Sequence, residues 1–237
     1  MPSKAETLRE LHRGPGLVVI PNAWDVASAR ALAALPGCRA IATTSGGVAR
    51  TLGFEDGEGT PADEMIRFVG RIAGAVDVPV TADLEAGYGD PAGTARAAWG
   101  TGVVGMNLED SRGGELVPLD EQVEILRAVR EAAPELVVNA RIDVFLRQAG
   151  GLDDAVERAN AYLAAGADCT FPIFAPYADL AEFVERTDGP VNVLARPDVD
   201  LSELARIGVR RVTFGSGLAE LALAEAVRWA EGALELQ

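Results

Sequence analysis

The sequence predicts a (β/α)8 barrel, an α/β fold of the TIM-barrel class, and three observations carry the prediction. Eight short apolar runs recur along the chain, each followed by a stretch with apolar residues at helical spacing. The runs are apolar almost throughout instead of alternating, as strands covered on both faces of a parallel sheet are. At 237 residues and 49% hydrophobic content, one barrel spanning residues 1–237 as a single domain is within reach. The alternative is an open doubly wound sheet, but the chain has neither a GxGxxG fingerprint nor a Walker loop.

The elements follow in order. MPSKAETLRELHRGPG is a short amphipathic N-terminal helix with its loop, and LVVIPNA (17–23) is the first strand. Helix 26–35 leads to AIATT (40–44), a strand that runs into the small residues TSGG. Helix 62–75 precedes VPVTADL (78–84), helix 91–100 precedes VVGMNLED (103–110), and helix 119–133 precedes LVVNARID (136–143). The last three units pair helix 153–166 with CTFPI (169–173), 178–187 with VNVLA (191–195), and 201–208 with RVTFG (211–215). A final helix covers 218–234.

Composition removes whole classes of function. A formal net charge of −15 opposes nucleic acid and anionic membranes, whose binding is dominated by attraction to phosphate. Cys38 and Cys169 have no CxxC spacing, and the only histidine, His12, lies in the opening helix, so zinc sites and Ser-His chemistry are both disfavoured. No apolar run reaches the ~18 residues of a membrane span, and the N-terminus lacks the apolar centre of a signal peptide. A cytoplasmic protein is expected.

In a barrel of this kind the active site lies at the C-terminal ends of the strands. Asp83 and Glu85 end the third run and share one face, because residues i and i+2 of a strand do. Glu109 ends the fourth, with Asp110 turned aside. Like charges held so close need a proton, an arginine or a metal between them. Carboxylates without His or Cys form a hard oxygen site that suits Mg²⁺, and Mn²⁺ would also fit. The plainer reading is that Glu109 and Asp110 are solvated at the rim.

Arg141 sits in the apolar run VNARID, where a guanidinium needs a partner. It either pairs with Asp143 or Glu109 as structure, or grips a substrate carboxylate with its planar fork. Ser45-Gly46-Gly47 offers backbone N–H groups that could cradle a carboxylate, or a plain tight turn. Asp56 lies on the glycine-flanked segment 53–59, long enough to fold over the mouth. Gly215-Ser216-Gly217 follows the eighth strand at a helix start, where many barrels bind phosphate, but a simple strand-to-helix turn is the preferred reading, since no lysine or arginine adjoins it.

Taken together, PNAWDVASA, TTSGG, LGFEDGE, VTADLEAGYGD, NLEDS and NARID resemble the isocitrate lyase and phosphoenolpyruvate mutase superfamily over nearly the whole chain. The most specific piece is ADLEAGYG, similar to that family's acid-x-acid-x-Gly-Tyr-Gly metal loop. The resemblance implies chemistry at carbon three of a pyruvate unit, with Asp83 as the direct Mg²⁺ ligand and Glu85, Glu109 and Asp56 holding metal-bound waters. It implies a small anionic carboxylate as substrate, bound by Ser45, Gly46 and Gly47 and met from the other side by Arg141. Asp56, Glu109 and Arg141 are then the candidates for catalysis. Thr43 stands where mutases carry an aromatic residue, and Ser111, Arg112 and Glu115 are left to contact the substrate's variable end. The segment EDSRGGELVPLDEQ is short and has neither Cys nor His, unlike the cysteine-centred loop of the isocitrate and methylisocitrate lyases, which argues against those two activities. The resemblance further implies exchange of the last helix between subunits, in a homodimer or homotetramer. That helix carries apolar residues on more than one face, Leu218, Leu221, Leu223, Val227 and Trp229 among them. An aldol-type transferase similar to ketopantoate hydroxymethyltransferase, and a barrel that binds a metabolite without turnover, are the competing functions.

Overall fold

The computed structural model describes residues 2–196 and 199–235. The first apolar run forms two short strands, β1 (Val18–Val19) and β2 (Asn22–Ala23), separated at Ile20-Pro21. This one run serves both of its neighbours in turn: β1 pairs with the last strand, β11 (Arg211–Thr213), and β2 pairs with β3 (Ile41–Thr43). From β3 the parallel ladder runs through β4 (Val80–Asp83), β5 (Gly105–Glu109), β8 (Val137–Ile142) and β9 (Cys169–Pro172). A bridge between Thr170 and Val191 connects β9 to the run of β10 (Asn192–Leu194), which pairs with β11. Eight runs therefore close into a ring of parallel staves, as the alternation of strand and helix predicts.

Helices α2 (Val26–Ala33), α4 (Ala62–Ala73), α5 (Pro91–Trp99), α6 (Leu119–Ala132), α8 (Leu180–Arg186) and α9 (Leu201–Arg206) fall within the predicted stretches, and α7 (Leu152–Ala164) starts one residue before its own. In α4 the buried residues Met65, Ile66, Val69, Ile72 and Ala73 lie on one face, the 3.6 spacing that marked the helix in the sequence. Two elements depart from expectation. Ser45-Gly46-Gly47 is neither a free loop nor a tight turn but the first turn of α3 (Ser45–Leu52), started by Thr44, whose side chain accepts from Gly47 N. The short segment after β5 forms a hairpin, β6 (Ser111–Arg112) with β7 (Glu115–Leu116), turned on Gly113 and Gly114 at φ 59° and 92°. Two successive residues with positive φ are what such a turn needs, and glycine supplies them without strain.

The N-terminal helix α1 (Lys4–Arg13) opens with a capping box between Ser3 and Glu6 and closes the foot of the barrel. Leu8 and Leu11 pack there with Val18, Ile20, Val104 and Val137. Gly105 leaves room for this, since a Cβ on it would lie 2.8 Å from Leu8 Cδ2. Asp168 staples the contact, accepting from Arg9 Nε at 2.8 Å, Arg130 Nη2 at 2.7 Å and Val138 N at 2.9 Å. Burial alone would raise the Asp168 carboxyl, but these bonds and the two guanidinium charges outweigh it and hold the group below the ordinary carboxylate range. A depressed folded-state pKa contributes stability that is present at neutral pH and lost on acidification, from about pH 4 downward. Asp168→Asn is expected to cost roughly 2 kcal/mol at neutral pH. In thermal melts followed from pH 7 to 3, the gap between variant and parent should close as the pH falls.

Helix α10 (Gly217–Leu234) stands apart from the others. None of its residues is buried, and Leu221, Leu223, Trp229 and Leu234 are each more than 60% exposed or close to it, at 64, 60, 76 and 62%. No helix among the described residues is long and apolar enough to cross a membrane.

Candidate active site

The C-terminal ends of the staves surround an open cavity of about 500 Å³. Asp83, Arg141, Ser45 and Asp56 line it together with Ser216. Asp83 ends β4, and its Oδ2 accepts from Ser45 N at 3.2 Å and Ser45 Oγ at 3.0 Å. Its backbone N–H donates to Thr43 Oγ1 at 3.0 Å, so Thr43, expected to contact the substrate, is buried, helps to orient the acid and does not line the cavity. The other carboxylate oxygen, Oδ1, is buried and has no hydrogen-bond partner. A buried carboxylate oxygen left unpaired costs free energy until a cation or donor reaches it.

Glu85 lies on the loop that follows, with its carboxylate held by Tyr88 Oη at 2.7 Å and Glu58 N at 2.5 Å. Tyr88 N in turn donates to the Glu58 side chain. Glu58, Glu85 and Tyr88 all have left-handed backbones, at φ 63°, 51° and 55°. Non-glycine residues hold such values only where their surroundings enforce them, and here the three enforce one another. This clasp ties segment 53–59 to the loop after β4, and Asp56 of that segment lines the cavity. A Cβ on Gly46 would meet Asp56 Oδ2 at 2.8 Å and Ser216 Oγ at 2.9 Å, so glycine at 46 is what permits the approach. At Gly47 the same atom would strike Thr44 Cγ2 at 2.6 Å and Trp24 Cβ at 2.8 Å.

Arg141, on β8, makes the structural pairs considered from the sequence and also lines the cavity. Its fork grips Asp143 with Nε at 2.7 Å and Nη2 at 3.0 Å, its Nη1 lies 2.7 Å from Glu109 Oε2, and it still faces the cavity. Burial opposes the guanidinium charge, but Glu109 and Asp143 outweigh it and keep the group protonated. One cation shared by two carboxylates leaves negative charge in excess. Burial, against the pull of Arg141, pushes Glu109 up to about 8, and Asp143, Asp83 and Glu85 add to the rise. Burial likewise pushes Glu85 up to about 7, with Asp83 and Asp56 contributing.

Beneath Arg141 lies a second acid. Asp110 does turn aside: its side chain accepts from Tyr162 Oη at 2.7 Å, Arg158 Nη1 at 3.0 Å and Asp143 N at 2.8 Å. Two residues expected at the substrate are not brought to the cavity. Ser111 is buried with its hydroxyl donated to Asp143 and accepting from Arg147, and Arg112 points out to Glu121 at 3.6 Å. The Gly-Gly hairpin aims both away from the cavity, and neither lines it. Glu115 is exposed on the same hairpin.

Sequence reasoning missed the cavity's other side. Ser216, set aside as part of a plain turn, lines it and bonds Thr44 Oγ1 at 2.7 Å. Leu146, Ile173, Phe174, Leu194 and Phe214 line it as well. Apolar residues at strand ends are not distinctive in a barrel sequence, and no local signal marked them. Glu58 had a weak signal, an acid between two glycines, but nothing local tied it to Glu85. His12 is buried in α1 at the barrel foot and stays neutral, burial lowering it to about 3, so the mouth contains no imidazole. Among the described residues no three acidic, thiol or imidazole side chains stand close enough to cage an ion by themselves.

A family model described as phosphoenolpyruvate phosphomutase matches residues 8–234. A solved structure from Burkholderia cenocepacia, described only as a lyase/mutase, superposes with a TM-score of 0.90 at 37% identity, over 96% of this chain and 87% of that one. The phosphoenolpyruvate phosphomutase of Streptomyces platensis superposes with a TM-score of 0.89 at 26% identity, over 98% of this chain and 87% of that one. In sequence, the chain is 32% identical over 204 residues to 2-methylisocitrate lyase of Bacillus subtilis, covering 81% of this chain and 66% of the lyase.

Proposed function

Because the chain belongs to the phosphoenolpyruvate phosphomutase family, within the isocitrate lyase superfamily of lyases, mutases and hydrolases, we propose that it makes or breaks a bond at carbon three of a small 2-oxo or 2-hydroxy carboxylate. The observation that carries this reading is Asp83 Oδ1, buried at the cavity and without a donor. The donor set is all carboxylate, which suits Mg²⁺, and Mn²⁺ as a substitute. Asp83 would bind the ion directly, while Glu85, Glu109 and Asp56 would hold its waters, since they stand too far apart to cage it alone. When bound, the ion supplies positive charge against the substrate oxygen on which negative charge develops.

The chain's own residues account for the rest. Ser45 and Gly46 begin α3; the Ser45 N–H is already given to Asp83 and that of Gly47 to Thr44, so the Gly46 N–H at the helix N-terminus is the group that would favour a carboxylate there. Arg141, fixed by Asp143, meets the same anion from across the mouth as a preset fork. The clasp of Glu58, Glu85 and Tyr88 keeps segment 53–59 over the mouth, which excludes water from a carbanion-like state. The test is a screen for pyruvate, glyoxylate or phosphate release from C3–C6 oxo-acids and phosphonates. Release that needs Mg²⁺ and stops on chelation is the expected result. Release indifferent to chelation would remove the metal from the reading.

The same reading includes a cytoplasmic homodimer or homotetramer joined through α10. Its support is the bare apolar surface of that helix and an adjoining groove lined by Phe214, Leu218, Leu221 and Ala224. Light scattering at micromolar concentration is expected to give at least twice the 24.8 kDa chain mass. The charge-introducing variant Leu221→Glu should lower it.

A further inference from the structure

We propose that the part of the substrate beyond the reacting carbon is an uncharged alkyl arm, seated on an apolar wall of Leu146, Ile173, Phe174, Leu194 and Phe214. This deepens the functional reading above and rests on it. In a ring of eight staves, the third lies across from the seventh and the second from the sixth. Asp83 ends the third stave and Leu194 the seventh, while Ser45 follows the second and Ile173-Phe174 the sixth. A small carboxylate held by an ion on Asp83 and by the start of α3 would therefore point its far end at the wall.

Two further observations favour an apolar occupant. Phe174 is 47% exposed, and its backbone is held left-handed at φ 57°. An aromatic ring kept at a rim in that conformation is unfavourable in both respects, and an apolar ligand covering it offsets the exposure. Of the polar groups of the β6–β7 hairpin, the other candidates for the far end, Ser111 is spent on Asp143 and Arg147, Arg112 lies against Glu121, and neither they nor the exposed Glu115 line the cavity. Arg196 and Glu220 also line this side, with opposite formal charges. A distal carboxylate or phosphonate would enter a protein of net charge −15 with no surplus of positive charge on the wall to receive it.

Titration calorimetry of the Mg²⁺-loaded protein with four 2-oxo acids tests this. Pyruvate, 4-methyl-2-oxopentanoate, 2-oxoglutarate and phosphonopyruvate share the oxo-acid end and differ only beyond carbon three. The branched alkyl acid is expected to bind about tenfold or more tighter than pyruvate, as apolar contacts of this size allow. The two charged acids should bind no tighter than pyruvate. In Phe174→Asn, which keeps a residue tolerant of the left-handed backbone, the ratio of alkyl acid to pyruvate should fall toward one. Tighter binding of either charged acid overturns the proposal, as does an unchanged ratio in the variant. If pyruvate binds and the alkyl acid has no advantage, the alkyl arm is wrong and the functional reading stands. If pyruvate itself does not bind in the presence of Mg²⁺, that reading falls and the alkyl arm with it.

Discussion

Asp83→Ala is expected to abolish metal-dependent turnover, by about a thousandfold or more, in a protein that still folds. The variant loses two hydrogen bonds to Ser45 and the buried, unpaired carboxylate oxygen proposed to meet the ion. It gains relief from repulsion, because the Asp83 charge is one of those that push Glu85 and Glu109 up. The two effects on stability oppose each other, so the melting temperature should move far less than activity does. Calorimetric titration with Mg²⁺ on the same preparation separates a lost metal site from a damaged fold. Parent-like Mg²⁺ affinity in the variant would falsify the assignment of Asp83 as the ligand.

Arg141→Lys comes second in expected size. An ammonium can reach Asp143 or Glu109 but cannot grip one bidentately while holding the other, as the guanidinium does at 2.7, 3.0 and 2.7 Å. One carboxylate is left short of a partner in a site where Asp143 is fully buried. The expected stability loss is about 2 kcal/mol, or a drop in melting temperature of roughly 4–8 °C for a chain of this length. If the remaining face of the fork also holds the substrate, kcat/KM of the folded variant should fall on the order of 100-fold, one or two charge-assisted bonds being lost. A lower melting temperature with parent-like kcat/KM would leave Arg141 as the pillar of Asp143 and Glu109 and take it out of the chemistry.

The sequence by itself determined the order of strands and helices and the acids that crown them. Both are written in local patterns. VPVTADL is a strand because its apolar run is buried on both faces, but the strand stops at Asp83, and Glu85 is positioned by a left-handed turn and not by the alternation of a strand. Helix α4 is local in the same way, its buried residues legible at 3.6 spacing. Tertiary structure alone decided which polar groups are spent on neighbours and which are left for a ligand. Ser111 looks available in sequence, yet Asp143, 32 positions away, takes its hydroxyl. Thr43 lies beside Ser45 in sequence but is consumed in orienting Asp83, while Ser216, from the far end of the chain, reaches the mouth because β11 closes the ring against β1. Glu58 and Glu85, 27 positions apart, become one clasp only when their loops meet. Hydrogen bonds act over about 3 Å, so whether a side chain is free depends on which distant residues the closed barrel sets beside it, and local periodicity carries no record of that.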